Sequence, residues 1–161
     1  MQESPSPFSH LDAQHRPSMV DVGAKAVTRR SATARALISM PPDVLQQLEG
    51  QGMNTPKGPI FQTAVLAGIM AAKKTGDLIP LCHPLGLEDC QIRIGINGQQ
   101  QIEIWCQAVL TGKTGVEMEA LTGVSIAALT IYDMCKALSH DIIIQEICLM
   151  EKTGGKRDFR R

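Results

Sequence analysis

Two short stretches of the chain concentrate the side chains that could do chemistry. The first is residues 81–84, Leu-Cys-His-Pro, at the end of a helical run. The second is residues 111–119, Thr-Gly-Lys-Thr-Gly-Val-Glu-Met-Glu, which open a long helix that later carries Asp133 and Lys136. Acids, a histidine and several cations near the ends of elements, in a chain otherwise rich in Ala and Ile, indicate a site for an anionic substrate.

The segment of residues 112–114, Gly-Lys-Thr, looks like the end of a phosphate-binding P-loop. It does not complete that motif, because Gln107 stands where the first glycine is required. A loop that joins a strand to a helix still offers free N–H groups and the positive end of the helix dipole to an anion. The alternative is an ordinary loop with a Thr cap and with Glu117 and Glu119 in the first helical turn.

His83 is the histidine with the most suggestive neighbours. Pro84 holds its backbone extended, and the imidazole could hydrogen-bond a phosphate or transfer a proton. The alternative is a loop histidine that is satisfied locally. Cys82 beside it suggests a metal only weakly, because adjacent residues rarely point at one ion and no third ligand has suitable spacing. We therefore predict no metal site.

Asp133 and Lys136 lie three residues apart and share one face of a strongly apolar helix. A surface ion pair there would contribute only a fraction of a kcal/mol. If the helix is covered on several sides, the pair is desolvated, and such a lysine can act as an acid or base near neutral pH. Lys57, Lys152 and Lys156 lie close to glycines and could reach a polyanion.

The composition excludes several classes of protein. Sixteen basic side chains balance sixteen acidic ones, and aromatic residues make up 3%, so a general binder of nucleic acid or of membrane surfaces is not expected. We find no signal peptide and no run of 18 apolar residues, and so predict no membrane contact. Five scattered cysteines without a Cys-x-x-Cys pair fit a reducing compartment, which predicts a cytoplasmic protein.

Hydrophobic periodicity predicts an α+β protein. Residues 1–18 read as a disordered leader, and residues 19–161 as a single ferredoxin-like domain. Its expected order is strand, helices, strand, strand, helix, strand, a βαββαβ antiparallel sheet with helices on one face. The elements are predicted at residues 30–40, 44–49, 60–74, 92–96, 102–108, 116–138 and 142–150, with residues 152–156 as a loop. Asn97-Gly98 signals a hairpin, and the continuously apolar last strand suggests a well-buried position.

These residues, in this order, resemble the cyclic pyranopterin monophosphate synthase family, the MoaC proteins of molybdenum cofactor biosynthesis. The resemblance runs from Met19 to Phe159. It is carried by motifs at residues 19–22, 57–58, 77–84, 110–122, 127–136 and 152–156.

The resemblance implies an enzyme, a phosphorus–oxygen lyase. It would convert (8S)-3′,8-cyclo-7,8-dihydroguanosine 5′-triphosphate, a nucleotide supplied by a radical SAM GTP cyclase, to cyclic pyranopterin monophosphate and diphosphate. It also implies the ferredoxin-like fold and a homohexamer, a trimer of dimers with sites at the dimer interface. No cofactor is expected.

Matching positions imply roles for particular residues. Asp133 would be catalytic, with Lys57 and Lys136 beside it, and we expect Asp133 and Lys136 to form the acid–base pair. The substrate-binding residues would be Leu81, Cys82, His83, Met118, Glu119 and Lys152.

Two other functions compete with the synthase. One is a small-molecule-sensing module, since the ferredoxin-like fold hosts many proteins that are not enzymes. The other is a metal-dependent hydrolase built on Cys82 and His83, which lacks further ligands. Release of diphosphate from the cyclised nucleotide would exclude the first, and full activity in strong chelator would exclude the second.

Overall fold

A computed structural model describes Asp12, Gln14 and residues 16–161. The predicted disordered leader therefore lies largely outside the described residues. The elements, in chain order, are β1 (Thr28–Ser39), α1 (Pro42–Gly50), β2 (Asn54–Thr55), β3 (Gly58–Pro59), α2 (Ile60–Lys73), α3 (Thr75–Leu78), β4 (Asp89–Ile96), β5 (Ile102–Gly112), α4 (Glu117–Cys135), β6 (Ile143–Thr153) and β7 (Phe159–Arg160).

The main sheet has the strand order β4-β5-β1-β6-β7, and every neighbouring pair is antiparallel. The last short strand, β7, extends one edge. The other four strands have the order expected of a ferredoxin-like sheet, in which the first and third strands of the motif lie side by side. The predicted α+β fold is confirmed.

The predicted hairpin is confirmed at β4 and β5. Residues 97–101 join the two strands, and the N–H of Asn97 donates to the carbonyl of Gln101 at 2.9 Å. The side-chain oxygen of Asn97 also accepts hydrogen bonds from the N–H groups of Gln99 (2.9 Å) and Gln101 (3.0 Å). One asparagine side chain thus organises the turn, as Asx turns do.

Helices α2 and α4 pack closely against each other and against the sheet. Gly68 of α2 faces Gly123 of α4: a Cβ at Gly68 would lie 2.8 Å from the Gly123 carbonyl oxygen. A Cβ at Gly123 would lie 2.7 Å from the Sγ of Cys106 on β5. A side chain at Gly68 would push α2 away from α4, and one at Gly123 would push α4 away from β5. The resulting aliphatic core includes Ile38, Ile60, Ile104, Val124 and Ile131, all fully buried.

Helix α4 is long and apolar enough to cross a membrane, by length and composition alone. More than half of that apolar stretch is buried inside the protein. A helix that is apolar nearly all round either packs inside its own protein or crosses a membrane, and burial of this extent is what a core helix shows. In the part of the chain that the structure describes, no other helix is both long enough and apolar enough to cross a membrane.

Two sequence predictions are corrected by the structure. The last strand, β6, is not well buried, since Ile143 is 56% exposed and Ile147 43%. Its continuous apolar run is typical of strands buried on both faces, whereas the helices cover one face of this antiparallel sheet. The predicted loop at residues 152–156 is partly strand, because β6 continues through Lys152 to Thr153 and β7 pairs with it. The short elements β2, β3, α3 and β7 were not predicted.

Candidate functional site

The predicted catalytic residues meet at the C-terminal end of α4. The Nζ of Lys57 donates to Asp133 Oδ2 at 2.7 Å and to the Asp133 carbonyl at 2.9 Å. The Nζ of Lys136, one turn further along the chain, lies 2.7 Å from Asp133 Oδ1. Each carboxylate oxygen therefore faces one ammonium group. We call these three residues the acid–lysine cluster.

The local fold explains how Lys57 reaches across 76 residues of sequence to this helix. It lies in the tight turn between β2 and β3, where its N–H donates to Thr55 Oγ1 at 3.2 Å. Gly58 follows with a φ of 112°, a conformation that side-chain-bearing residues rarely adopt. The turn then leads directly into α2, whose N-terminus therefore lies beside the C-terminus of α4.

The electrostatics of the acid–lysine cluster are those of an exposed ion pair network. Hydrogen bonds from Lys136 and then Lys57 lower the pKa of Asp133 to about 2. The hydrogen bond and charge of Asp133 in turn raise the pKa of Lys136. All three side chains are about half exposed. The sequence left two alternatives for Asp133 and Lys136, an exposed ion pair and a desolvated one. In the single chain the pair is exposed.

The N-terminal end of α4 carries a buried acid. Glu119 is 3% exposed, and burial raises the pKa of its carboxyl group to about 7. It borders a cavity of about 270 Å³, together with Thr75, Gly76 and Pro84. Burial, and next the charge of Glu119, raise the pKa of the Cys82 thiol. Cys82 is therefore a neutral thiol and a poor nucleophile at neutral pH.

His83 lies at the same end of α4. The segment of residues 81–84 passes close to α3, since a Cβ at Gly76 would lie 3.0 Å from the Cα of Pro84. The Nε2 of His83 is 2.8 Å from the carbonyl oxygen of Val20, so the N-terminal segment lies over the imidazole. Val20 and His83 are 63 positions apart in the chain. The alternative considered from the sequence, in which the imidazole bonds only to its own loop, is therefore wrong.

A larger cavity of about 780 Å³ opens beside the loop between β5 and α4, and we call it the basic cavity. Two carboxylates reach it, Asp21 and Glu117, and Lys152 bonds to Glu117 at 2.9 Å. The cations that line it are Lys25, Arg30, Lys113, Lys152 and Lys156. Five cations against two acids make it a cavity for an anion.

Lys25 and Arg30 were not considered from the sequence, and Lys113 entered only as part of the Gly-Lys-Thr segment at residues 112–114. Their shared signal is weak, because each is a cation near a strand end or a glycine, as many surface cations are. Only the tertiary structure brings these separate segments to one cavity. The residue that precedes α4 is Val116, and no side chain caps the helix there, in contrast to the suggested Thr cap.

The structure thus places the predicted site residues in two groups. Asp133, Lys57 and Lys136 form one group, and the substrate-binding residues lie around the opposite end of α4 (Leu81, Cys82, His83, Met118, Glu119 and Lys152). Fourteen residues separate Glu119 from Asp133 along the helix. At about 1.5 Å per residue, the two ends are roughly 21 Å apart. A single chain does not bring the groups together.

Metal binding finds no support in the geometry. Among the residues that the structure describes, no group of three or more His, Cys, Asp or Glu side chains could hold an ion. From the sequence, we predicted no metal site because no third ligand has suitable spacing to Cys82 and His83.

Comparison with known proteins places this arrangement in a family. The chain is 52% identical, over 152 residues, to a cyclic pyranopterin monophosphate synthase of Xanthomonas oryzae pv. oryzae, covering 94% of this chain and 92% of that protein. It is 53% identical to the synthase of Xanthomonas axonopodis pv. citri, with the same coverage. It is also 52% identical to a molybdenum cofactor biosynthesis bifunctional protein of Synechocystis, of which it spans 45%.

The sequence model of the MoaC family matches residues 19–155. That range contains both groups of site residues and the whole of the main sheet except β7. The resemblance inferred from the motifs is therefore confirmed, and the chain belongs to the MoaC family.

Proposed function

We propose that this protein is a cyclic pyranopterin monophosphate synthase of molybdenum cofactor biosynthesis. It converts (8S)-3′,8-cyclo-7,8-dihydroguanosine 5′-triphosphate to cyclic pyranopterin monophosphate with release of diphosphate, as a phosphorus–oxygen lyase. The two Xanthomonas relatives quoted above carry the synthase name. From the geometry, the observation that supports the proposal is the separation of two groups of residues at the two ends of α4. One end offers cations and a buried acid for binding a charged nucleotide, and the other offers an acid–base cluster.

The basic cavity suits the triphosphate end of this substrate. Lys152 lines this cavity, and His83 bonds to Val20, the neighbour of Asp21 in its wall. Both would hold the phosphates while negative charge grows on the departing diphosphate. Glu119, with a pKa of about 7, is partly protonated at neutral pH. It can therefore either donate or accept a hydrogen bond to the purine-derived ring, with Leu81, Cys82 and Met118 as further contacts to the substrate.

The acid–lysine cluster would move the protons. Opening the guanine-derived ring and closing the cyclic phosphate both need protons at defined positions. In the free chain Asp133 is held anionic by two ammonium groups, which makes it a weak base. A substrate that covers the cluster excludes water, which raises the pKa of a carboxylate and lowers that of a lysine. Asp133 and Lys136 then become an effective pair, with Lys57 as a second donor or a phosphate contact.

The two ends of α4 must meet for this chemistry to occur. Proton transfer requires hydrogen-bond reach, about 3 Å, whereas the groups are roughly 21 Å apart in one chain. A second copy of the chain can bring its acid–lysine cluster to the basic cavity of the first. This separation supports a site at a dimer interface, within the homohexamer of three dimers that the family resemblance implied.

The activity can be tested directly. Purified protein is incubated with the cyclised dihydroguanosine triphosphate, and mass spectrometry follows the cyclic phosphate while a coupled assay follows diphosphate. Conversion at catalytic rates is expected, also in strong chelator. Tight nucleotide retention with no diphosphate released would mean a sensing module and not an enzyme.

A mixing experiment tests the shared site. His83→Ala and Asp133→Asn disable opposite ends of α4, and neither homo-oligomer should be active. Co-expressed in equal amounts, they should regain roughly one quarter of the parental activity, because half of the random dimers contain one intact site out of two. Mixing His83→Ala with Lys152→Ala, which disable the same end, should restore nothing and is the control. Equal inactivity of both mixtures would place the site within one chain.

The cellular setting follows from the same proposal. A radical SAM GTP cyclase would supply the cyclised nucleotide, in the cytoplasm, where the five free cysteines would stay reduced. The domain of residues 19–161 would carry the whole reaction without a cofactor. No nucleic acid or membrane takes part.

A further inference from the structure

Residues 19–26 cross the candidate site without belonging to a helix or strand. Within the segment, the N–H of Lys25 donates to the Val22 carbonyl at 3.0 Å and the N–H of Gly23 to the Asp21 side chain at 2.7 Å. Most of its residues are exposed. We call residues 19–26 the strap.

Two side chains hold the strap to the body of the protein. The Nζ of Lys113 donates to the Gly23 carbonyl at 2.6 Å, and the imidazole of His83 bonds to the Val20 carbonyl at 2.8 Å. Among the described residues, the strap's one other hydrogen bond to a residue outside it comes from its chain neighbour, Ser18 Oγ, to the Met19 carbonyl at 3.4 Å. The Lys113 and His83 side chains come from segments that flank the substrate-binding end of α4.

The strap also forms part of the wall of the basic cavity. Asp21 and Lys25 line it from the strap side, opposite Lys152 and Lys156. A strap that moved away would open the cavity to solvent and would take Lys25 and Asp21 with it. Its position therefore affects the shape of the site and the placement of its charges, while the net charge stays the same.

The bond to Val20 also decides which nitrogen of His83 carries a proton. A carbonyl oxygen can only accept, so Nε2 must be the protonated nitrogen. Nδ1 is then the nitrogen left to the substrate: in the neutral ring it accepts from a hydroxyl, and in the charged ring it is a second donor that can hold a phosphate oxygen. Without the strap, the two tautomers would interconvert freely, and a substrate phosphate or hydroxyl would meet a mixture of them.

We propose that Lys113 is a positioning residue that closes the strap over the substrate-binding end of α4, where the Val20 carbonyl fixes His83 with its proton on Nε2 and Nδ1 free. The inference rests on the proposed function, because it assigns the strap to the binding of that substrate. Lys113 lies in the loop between β5 and α4, and Met118 and Glu119 follow in the first turn of α4. The same loop therefore positions both the strap and the buried carboxyl group of Glu119.

Three variants test the inference. Lys113→Met keeps the length and the apolar stem but loses the donor. Lys113→Arg keeps a charged donor and serves as the rescue. Lys74→Met removes an exposed lysine at the C-terminal cap of α2 and is the matched control. Thermal unfolding of all three establishes that they fold.

Two measurements need no turnover. In Lys113→Met, amide hydrogen exchange at Gly23 and Lys25 should become faster by about tenfold, the effect of losing one hydrogen bond to a charged donor. The ¹⁵N shifts of His83 should move from those of one tautomer towards an average of two. Lys113→Arg should keep both signals close to the parent, and Lys74→Met should not change them.

Steady-state kinetics completes the test. With the cyclised dihydroguanosine triphosphate, Lys113→Met should raise KM by about tenfold, with a smaller change in kcat, and Lys113→Arg should recover most of the loss. A raised KM with unchanged exchange at the strap would mean that Lys113 contacts the substrate directly, and would overturn the inference. A lowered KM would also overturn the inference, because the closed strap would then obstruct substrate binding. An inactive parent protein would refute the proposed function, while the exchange and NMR data would still decide whether Lys113 holds the strap.

Discussion

The buried carboxyl group of Glu119 makes a quantitative prediction about stability and pH. Burial raises its pKa from 4.5, the ordinary value for glutamate, to about 7. In the folded protein the group holds its proton up to about pH 7, whereas in the unfolded chain it loses that proton near pH 4.5. We therefore expect that Glu119→Gln, which cannot ionise, will change the pH dependence of unfolding.

The sign and size follow from this difference in pKa. A folded-state pKa above the unfolded value contributes stability that is fully present below pH 4.5 and is lost as the pH rises through 7. The loss is about 1.4 kcal/mol for each unit of pKa difference, or about 3 kcal/mol in all. The free energy of unfolding of Glu119→Gln, minus that of the parent, should therefore rise by about 3 kcal/mol between pH 4.5 and pH 8.

Urea denaturation at a series of pH values, at one fixed protein concentration, measures this difference. Using the difference between variant and parent removes the contributions of the other titrating groups, which both proteins share. Glu49→Gln, on the exposed side of α1, is the matched control and should give a difference that does not change with pH. A ¹³C titration of the Glu119 carboxyl group would report its pKa independently.

A flat difference for Glu119→Gln over this pH range would refute the reasoning. It would mean that the carboxyl group titrates near its ordinary value and is solvated in the folded protein. The assignment of Glu119 as a group that both donates and accepts at neutral pH would then fail as well.

Asp133→Asn should lower kcat by at least about a hundredfold while leaving thermal unfolding unchanged, since the carboxylate is half exposed; kinetics and melting curves check both. Lys136→Ala should raise the pKa of Asp133 from about 2 towards its ordinary value, and a ¹³C titration that still gave about 2 would assign the whole effect to Lys57. Gly123→Ala should lower the free energy of unfolding by about 1–3 kcal/mol, because its Cβ would lie 2.7 Å from the Cys106 Sγ, whereas Gly50→Ala, with nothing within 4 Å, should not.

Much of the fold could be predicted because its signals are local. The alternation of residues along β1, the helical spacing in α2 and the Asn97-Gly98 turn each depend on neighbouring residues, and each predicted element is present. The errors also have a local cause. The apolar run of β6 cannot tell a strand covered on both faces from one covered on a single face, because covering depends on other segments.

The site residues themselves were identified by long motifs, and two of them, Asp133 and Lys136, are neighbours on one helix. Their contact with Lys57 could not be derived from periodicity, since 76 residues separate Lys57 from Asp133 and the contact depends on antiparallel packing of α2 against α4. The burial of Glu119 was equally hidden: a glutamate in a first helical turn is usually exposed, and only the packing around it removes water.

The amino-acid sequence by itself determined the order of strands and helices, the chemical types gathered at the site and membership of the MoaC family. Only the tertiary structure decided that these types divide between the two ends of α4, with the cations of five separate positions around one cavity. The physical reason is that each residue's type fixes its side-chain chemistry, whereas distances, burial and the balance of charge depend on how remote segments pack together.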